Sequence, residues 1–265
     1  MIEVFCVLQM QNGEHILSDN PPPADARLRY GRDENQFGDL RVPKGKGVFA
    51  AAMFVHGGFW RARYDLKHAG FICSALTRAG LISWNLEYRR VGNPGGGWPG
   101  SFEDVTAGYQ FLKQLAGKQP IDVRRIIVLG HSAGGQLALT LAAHHNSMRA
   151  AVSLAGVVNL RRAWDLHLGK DAVAEFLGGT PEQVAEHYHE ASPFELEIGC
   201  RQLLVHGSHD DTVPIEMSRD YSRHKQQRGE NVRLLEIPEA GHFEIVDPES
   251  NVWGDVQKAI LSLVS

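Results

Sequence analysis

Cysteine is scarce: three residues in 265, at positions 6, 73 and 200. Three widely separated thiols, odd in number, form neither a disulfide framework nor a thiolate zinc site, so each is read as a buried thiol. Long apolar runs are also missing. None approaches the roughly 20 residues that cross a bilayer, and the short run at residues 2–8 lacks both a basic segment before it and a small-residue cleavage site after it. A cytoplasmic protein with no membrane partner is the expectation. Neither sign of charge dominates: 31 acidic against 27 basic side chains leave a formal charge of −4, which argues against a nucleic-acid partner. Gly45-Lys46-Gly47 is not a phosphate-binding loop, and no G-x-G-x-x-G follows a strand, so no nucleotide cofactor is indicated. The thirteen histidines include the pairs His144/His145, His187/His189 and His206/His209, but none has the H-E-x-x-H spacing or a nearby third ligand. No cofactor and no metal are expected. There is no internal repeat and no low-complexity tract.

What remains is an ordinary globular composition, 43% hydrophobic and 22% charged, at a length suited to one large α/β domain with a single core. Residues 1–26, which contain Pro21-Pro22-Pro23, read as an irregular lead-in. Residues 28–30 and 38–42 have the pattern of short antiparallel edge strands. Residues 48–55 are an unbroken apolar run of strand length, as a strand covered on both faces requires. Helix and strand then alternate: helix 66–78, strand 81–86, helix 102–115, strand 125–129, helix 133–145, strand 150–154. Residues 159–199 interrupt this rhythm with short helical pieces and read as a cap insertion. Strands at 202–206 and 232–237 enclose a helix at 215–228, and a helix at 252–264 closes the chain. The expected fold class is α/β, a mainly parallel, doubly wound sheet with helices on both faces and a small helical cap, spanning 27–265.

Gly130-His131-Ser132-Ala133-Gly134 is a G-x-S-x-G sequence placed where a strand ends and a helix begins. A turn that sharp strains the serine backbone and exposes its Oγ, while the helix N-terminus below offers free N–H groups to an anion. His56-Gly57-Gly58-Phe59-Trp60 follows another strand. The amides of Gly58 and Phe59, with that of Ala133, could surround a tetrahedral oxyanion; His56 itself is read as a buried imidazole that shapes the loop. A serine nucleophile needs a base and the base an orienting acid. Asp210, just past the strand 202–206, is the chosen acid, with Asp211 its adjacent rival. His242, in Gly241-His242 after the strand 232–237, is the proposed base. Trp60 and Trp98, the latter after the Gly95–Gly97 loop, are candidate pocket residues. Asp104 is read as structural.

The chain order Ser132, Asp210, His242 and the His-Gly-Gly-x-Trp loop resemble the α/β-hydrolases of the esterase/lipase group, including the hormone-sensitive-lipase-like esterases and the kynurenine formamidases. The resemblance covers roughly residues 48–265, and Glu87-Tyr88-Arg89 with Trp98-Pro99 and Glu103-Asp104 is similar to further elements of those families. It departs at Phe59, which replaces the third glycine of the HGGG form and disfavours bulky esters. It implies a serine hydrolase cleaving a small carboxylic ester through an acyl-enzyme on Ser132. An arylformamidase acting on an N-formyl aromatic amine is the alternative. A peptidase of the prolyl-oligopeptidase type, with a similar residue order, ranks below both, and a non-catalytic binding module ranks last. The partner expected is a small ester or amide. No charge pattern or heptad repeat decides between monomer and homodimer.

Overall fold

The computed structural model describes residues 13–145 and 147–265. Cys6 and the first half of the lead-in lie outside them. The chain runs β1 (Ala26–Arg29), β2 (Phe37–Arg41), β3 (Phe49–Val55), α1 (Gly70–Arg78), β4 (Ile82–Leu86), α2 (Gly100–Leu115), β5 (Ile121–His131), α3 (Ala133–His144) and β6 (Ala150–Leu154). After three short helices, α4 (Leu160–Asp165), α5 (Ala172–Leu177) and α6 (Ala185–Ala191), come β7 (Arg201–Gly207), α7 (Glu216–Gln227), β8 (Val232–Ile237) and α8 (Trp253–Leu261).

Among the described residues the strands form one eight-stranded sheet in the order β1-β2-β4-β3-β5-β6-β7-β8. β1 and β2 are antiparallel at one edge, and β3 to β8 run parallel. The apolar strands are explained by burial on both faces. Ala51, Met53 and Val55 of β3 join the core that contains Tyr109 of α2, Leu137 of α3 and Tyr221 of α7. Ala50, Ala52 and Phe54, pointing the other way, join the core that contains Ile72 of α1 and Ile260 of α8. Burying alternate residues against opposite helix layers leaves no face for polar side chains.

β5 is longer than its apolar pattern indicates, because Ile121 pairs with Phe49 before an irregularity lets Ile126 pair with Ala51. Residues 122–124 therefore extend a strand expected only over 125–129. α1 starts at Gly70, four residues after the expected start, and Val48 is exposed rather than sheeted. Cys73 is buried and Cys200 half-buried; burial pushes the Cys73 thiol up to about 12. No helix among the described residues is long and apolar enough to cross a membrane.

Candidate active site

β5 ends at His131 and α3 begins at Ala133, leaving Ser132 alone in the turn. Its backbone sits at φ 56°, ψ −121°, a conformation non-glycine residues adopt only when their surroundings impose it. The surroundings here are close-packed main chain. A Cβ on Gly130 would lie 1.9 Å from the Gly134 carbonyl oxygen, and one on Gly134 would lie 2.0 Å from that of Val55. Both flanking glycines are thus required by backbone approach, and Ser132 is held between them by its N–H donating to Leu154 O at 2.9 Å.

The loop after β3 also carries strain, with Phe59 at φ 51° and Trp60 at φ 56°. It is anchored from below. His56 is fully buried, its Nε2 3.0 Å from Glu87 Oε1 and its Nδ1 2.8 Å from Gly57 O, and the Tyr88 hydroxyl donates to His56 O at 3.0 Å. Among the described residues no group accepts a hydrogen bond from the amides of Gly58, Phe59 or Ala133.

The loops after β7 and β8 are laced together: Ser208 N donates to Ile237 O and His209 N to Ala240 O, both at 2.9 Å. That lacing brings Asp210 and His242 into contact, with His242 Nδ1 2.7 Å from Asp210 Oδ2. Asp210 Oδ1 accepts the amides of Thr212 and Val213 at 2.9 and 2.8 Å. Burial by itself would raise the Asp210 carboxyl, but hydrogen bonds from His206 and His242 outweigh it and hold the group well below its ordinary value. Asp211, the rival, is exposed, and its carboxylate accepts from the Thr212 hydroxyl at 3.2 Å.

Ser132 and His242 share the wall of one cavity of about 250 Å³, with Leu17, Gly58, Phe59, Tyr64, His68, His131, Thr212 and Phe243. Ser132 Oγ and His242 Nε2 are not joined by a hydrogen bond, a common state of a ligand-free site. A larger open groove of about 550 Å³ lies at the far end of the sheet, between Pro43, Phe49 and Arg78. It contains neither a serine at a strained turn nor an acid–base pair, so size does not mark the site here.

Trp60 and Trp98, expected in the pocket, do not line it. Trp60 is wholly buried, its indole N–H donating to Gln136 Oε1 at 2.9 Å and its ring stacked on Phe176 at 4.6 Å. Trp98 stacks on Phe102 and meets the edge of Phe176. Both tie α5 to the body of the molecule through Phe176. Asp104 is buried and accepts both forks of Arg89, at 2.8 and 2.7 Å, away from the cavity.

Sequence reasoning missed three imidazoles. His131 donates from Nε2 to His242 O at 3.0 Å, and burial followed by the nearby His242 charge pushes it well below its ordinary value. His68 lines the cavity, and burial, then His56, pushes it down to about 3. His206 lies against Asp210. Adjacency to Ser132 marks out His131, but nothing local in the sequence marks His68. Leu17 comes from the segment read as irregular, and only its packing reveals it.

Comparison with known proteins agrees with this architecture. The sequence profile of the Prolyl oligopeptidase family matches residues 83–262, more than half of the chain. An "uncharacterized peptidase YtmA" of Bacillus subtilis is 28% identical over 194 residues, 68% of this chain and 72% of that protein. The kynurenine formamidase of Drosophila melanogaster is 22% identical over 99% of this chain and 89% of its own length. A truncated carbohydrate esterase from gut microbiota superposes with a TM-score of 0.80 at 19% identity, over 93% of this chain and 99% of that one. At that identity the likeness establishes the fold, an α/β-hydrolase.

Proposed function

Because this chain belongs to the prolyl oligopeptidase family, we propose that it is a serine hydrolase that cleaves a small carboxylic ester through an acyl-enzyme on Ser132. The observation that carries this reading is the 2.7 Å contact between His242 Nδ1 and Asp210 Oδ2, with His242 and Ser132 in one cavity wall.

In this reading His242 Nε2 takes the Ser132 hydroxyl proton as Oγ attacks the ester carbonyl. The carbonyl π pair moves onto oxygen, and the amides of Gly58, Phe59 and Ala133 receive that oxyanion, each donor contributing about 3 kcal/mol in comparable sites. Collapse expels the alkoxide, which takes the proton from His242. A water, deprotonated by the same imidazole, then releases the acid and restores Ser132. Asp210 holds the His242 tautomer and stabilises its cation, while residues 159–199 form a cap pinned by Trp60 and Trp98 on Phe176. A cavity of about 250 Å³ narrowed by Phe59 and Phe243 favours short acyl groups.

A second reading, an arylformamidase, is favoured by one observation: the rings of Phe59, Tyr64 and Phe243 all line the cavity, as an aromatic amide requires. Comparing kcat/KM for p-nitrophenyl acetate and N-formylkynurenine separates the two, because the ratio reports differential transition-state stabilisation. The ester is the expected preference, and turnover must vanish in Ser132→Ala. Wild-type-like turnover by that variant sinks both readings.

A further inference from the structure

His206 lies near the end of β7, on the sheet face that Leu204 shares with α7, and is fully buried. Its Nε2 is 2.9 Å from Val213 O and 3.2 Å from Asp210 Oδ2, both acceptors; its Nδ1 is 2.7 Å from the Ser218 hydroxyl of α7. Partner chemistry assigns the tautomer: Nε2 carries the proton, and Nδ1 accepts from Ser218. Asp210 Oδ2 therefore lies between two imidazole N–H groups, His242 on the cavity side and His206 on the core side, while Oδ1 accepts the amides of Thr212 and Val213. Oδ1 thus accepts two hydrogen bonds, while Oδ2 takes one from His242 and shares the His206 Nε2–H, at 3.2 Å, with Val213 O at 2.9 Å.

We propose that His206 is a positioning residue for the reaction: anchored by Ser218, its Nε2–H, shared between Val213 O and Asp210 Oδ2, holds the Asp210 carboxylate in the orientation from which Oδ2 reaches His242. The inference rests on the reading of Ser132, Asp210 and His242 as a triad. The physical reason for a second imidazole is that a side chain fully out of water cannot leave a carboxylate lone pair unmet. An apolar residue at 206 would leave Oδ2 free to turn from His242 toward the remaining amide donors. A neutral donor also draws charge from Oδ2, which moderates how strongly the carboxylate pulls on the His242 proton. The other titratable groups facing this cluster are few. His131 has its ring 4.5 Å from that of His242, and Glu236 on β8 is paired in register with His206 and held by Arg219 at 2.6 Å. Asp211 and Glu244 lie on the two loops themselves, Glu244 taken by the Gly241 amide.

The test is the pH profile of kcat and kcat/KM for p-nitrophenyl acetate in His206→Phe and His206→Gln, beside wild type and Ser132→Ala. Phe keeps the volume and removes the donor; the Gln amide can place a donor near the position of Nε2. In His206→Phe, kcat is expected to fall about tenfold or more with KM within about twofold, the scale of losing one hydrogen bond to a charged group. The acid limb, which reports His242, moves to higher pH because Oδ2 is then less neutralised. His206→Gln recovers most of the rate and the limb. Unchanged kcat and limb in His206→Phe overturn the inference, and so does a lower kcat with an unmoved limb, which marks a merely structural role. Should the Phe variant fail to fold, Ser218→Ala is read in its place. It frees Nδ1 and must move rate and limb in the same direction, by a smaller factor; no movement again overturns the inference. If Ser132→Ala keeps full turnover, the triad reading itself is what fails.

Discussion

Two buried carboxylate–imidazole pairs flank the Ser132 turn from opposite sides of β5. On one side Glu87 Oε1 faces His56 Nε2 at 3.0 Å; on the other Asp210 Oδ2 faces His242 Nδ1 at 2.7 Å. Chemically they are the same pair, and in both the carboxyl lies below its ordinary value although burial alone would raise it. His56 leads the opposing causes for Glu87, and His206 with His242 does so for Asp210. The difference is in the second ring nitrogen. His56 Nδ1 is already committed to Gly57 O, and the ring is wholly enclosed. His242 Nε2 has no protein partner among the described residues, and the ring lines the cavity. One pair can only hold a loop, whereas the other can move a proton. The comparison teaches that a site is recognised by the atom left free, not by the pair.

Breaking the open pair should have the largest effect on rate. His242→Ala is expected to lower kcat by about 10⁴-fold or more while leaving Tm nearly unchanged, measured by ester turnover and thermal unfolding. Asp210→Asn should cost about 10³- to 10⁴-fold, because the amide can no longer hold the imidazole in its working tautomer or balance its charge. The closed pair should answer in stability. His56→Ala leaves Glu87 buried with one partner fewer, and chemical denaturation should show a loss of about 3 kcal/mol. A loss of that size with kcat retained per folded molecule would sharpen the contrast; a 10⁴-fold loss of kcat would erase it.

A pH prediction follows from His68 and His131. Burial, the main cause for both, keeps them neutral in the fold, so the unfolded chain binds their protons more readily than the native one. Their stabilising contribution is complete above the ordinary histidine value of about 6.5 and is lost as pH falls below it, for His68 toward about 3 and for His131 in the same direction. Unfolding free energy should therefore decline between about pH 6.5 and 4, and His68→Gln should make that decline shallower by up to about 1.4 kcal/mol per pH unit. The smallest effect is expected at the rival carboxylate: Asp211→Asn, exposed and bound to the Thr212 hydroxyl, should leave kcat/KM within about twofold.

Much of the fold is legible in the residues alone. The apolar runs of β3, β6 and β7 are strands covered on both faces, and their length of five to seven residues separates them from the longer helices α1, α2 and α3. The residues of the proposed site were legible for a similar reason: each follows a strand end, and Ser132 lies between glycines that only a sharp turn needs. The pocket was not legible. Trp60 stands two residues after Gly58 but turns into the core to meet Gln136 and Phe176, whereas Tyr64, His68 and Leu17 line the cavity from segments with no local signal. Side-chain direction after a loop of positive φ is set by long-range packing, which no nearby residue encodes.

Run length, periodicity and glycine spacing, local consequences of backbone sterics, are enough to read the strands, the helices and the chain order Ser132, Asp210, His242 from the residues alone. Long-range packing places Asp210 rather than Asp211 against His242, turns Trp60 and Trp98 onto Phe176 and sets His206 behind the carboxylate. The tryptophans follow the packing of Phe176 in α5, and the carboxylate at His242 depends on which of two neighbouring side chains turns inward when the loops after β7 and β8 are laced together. That outcome is fixed by partners about 30 residues away in the chain, and hydrogen bonds at such separation exist only once the fold has closed.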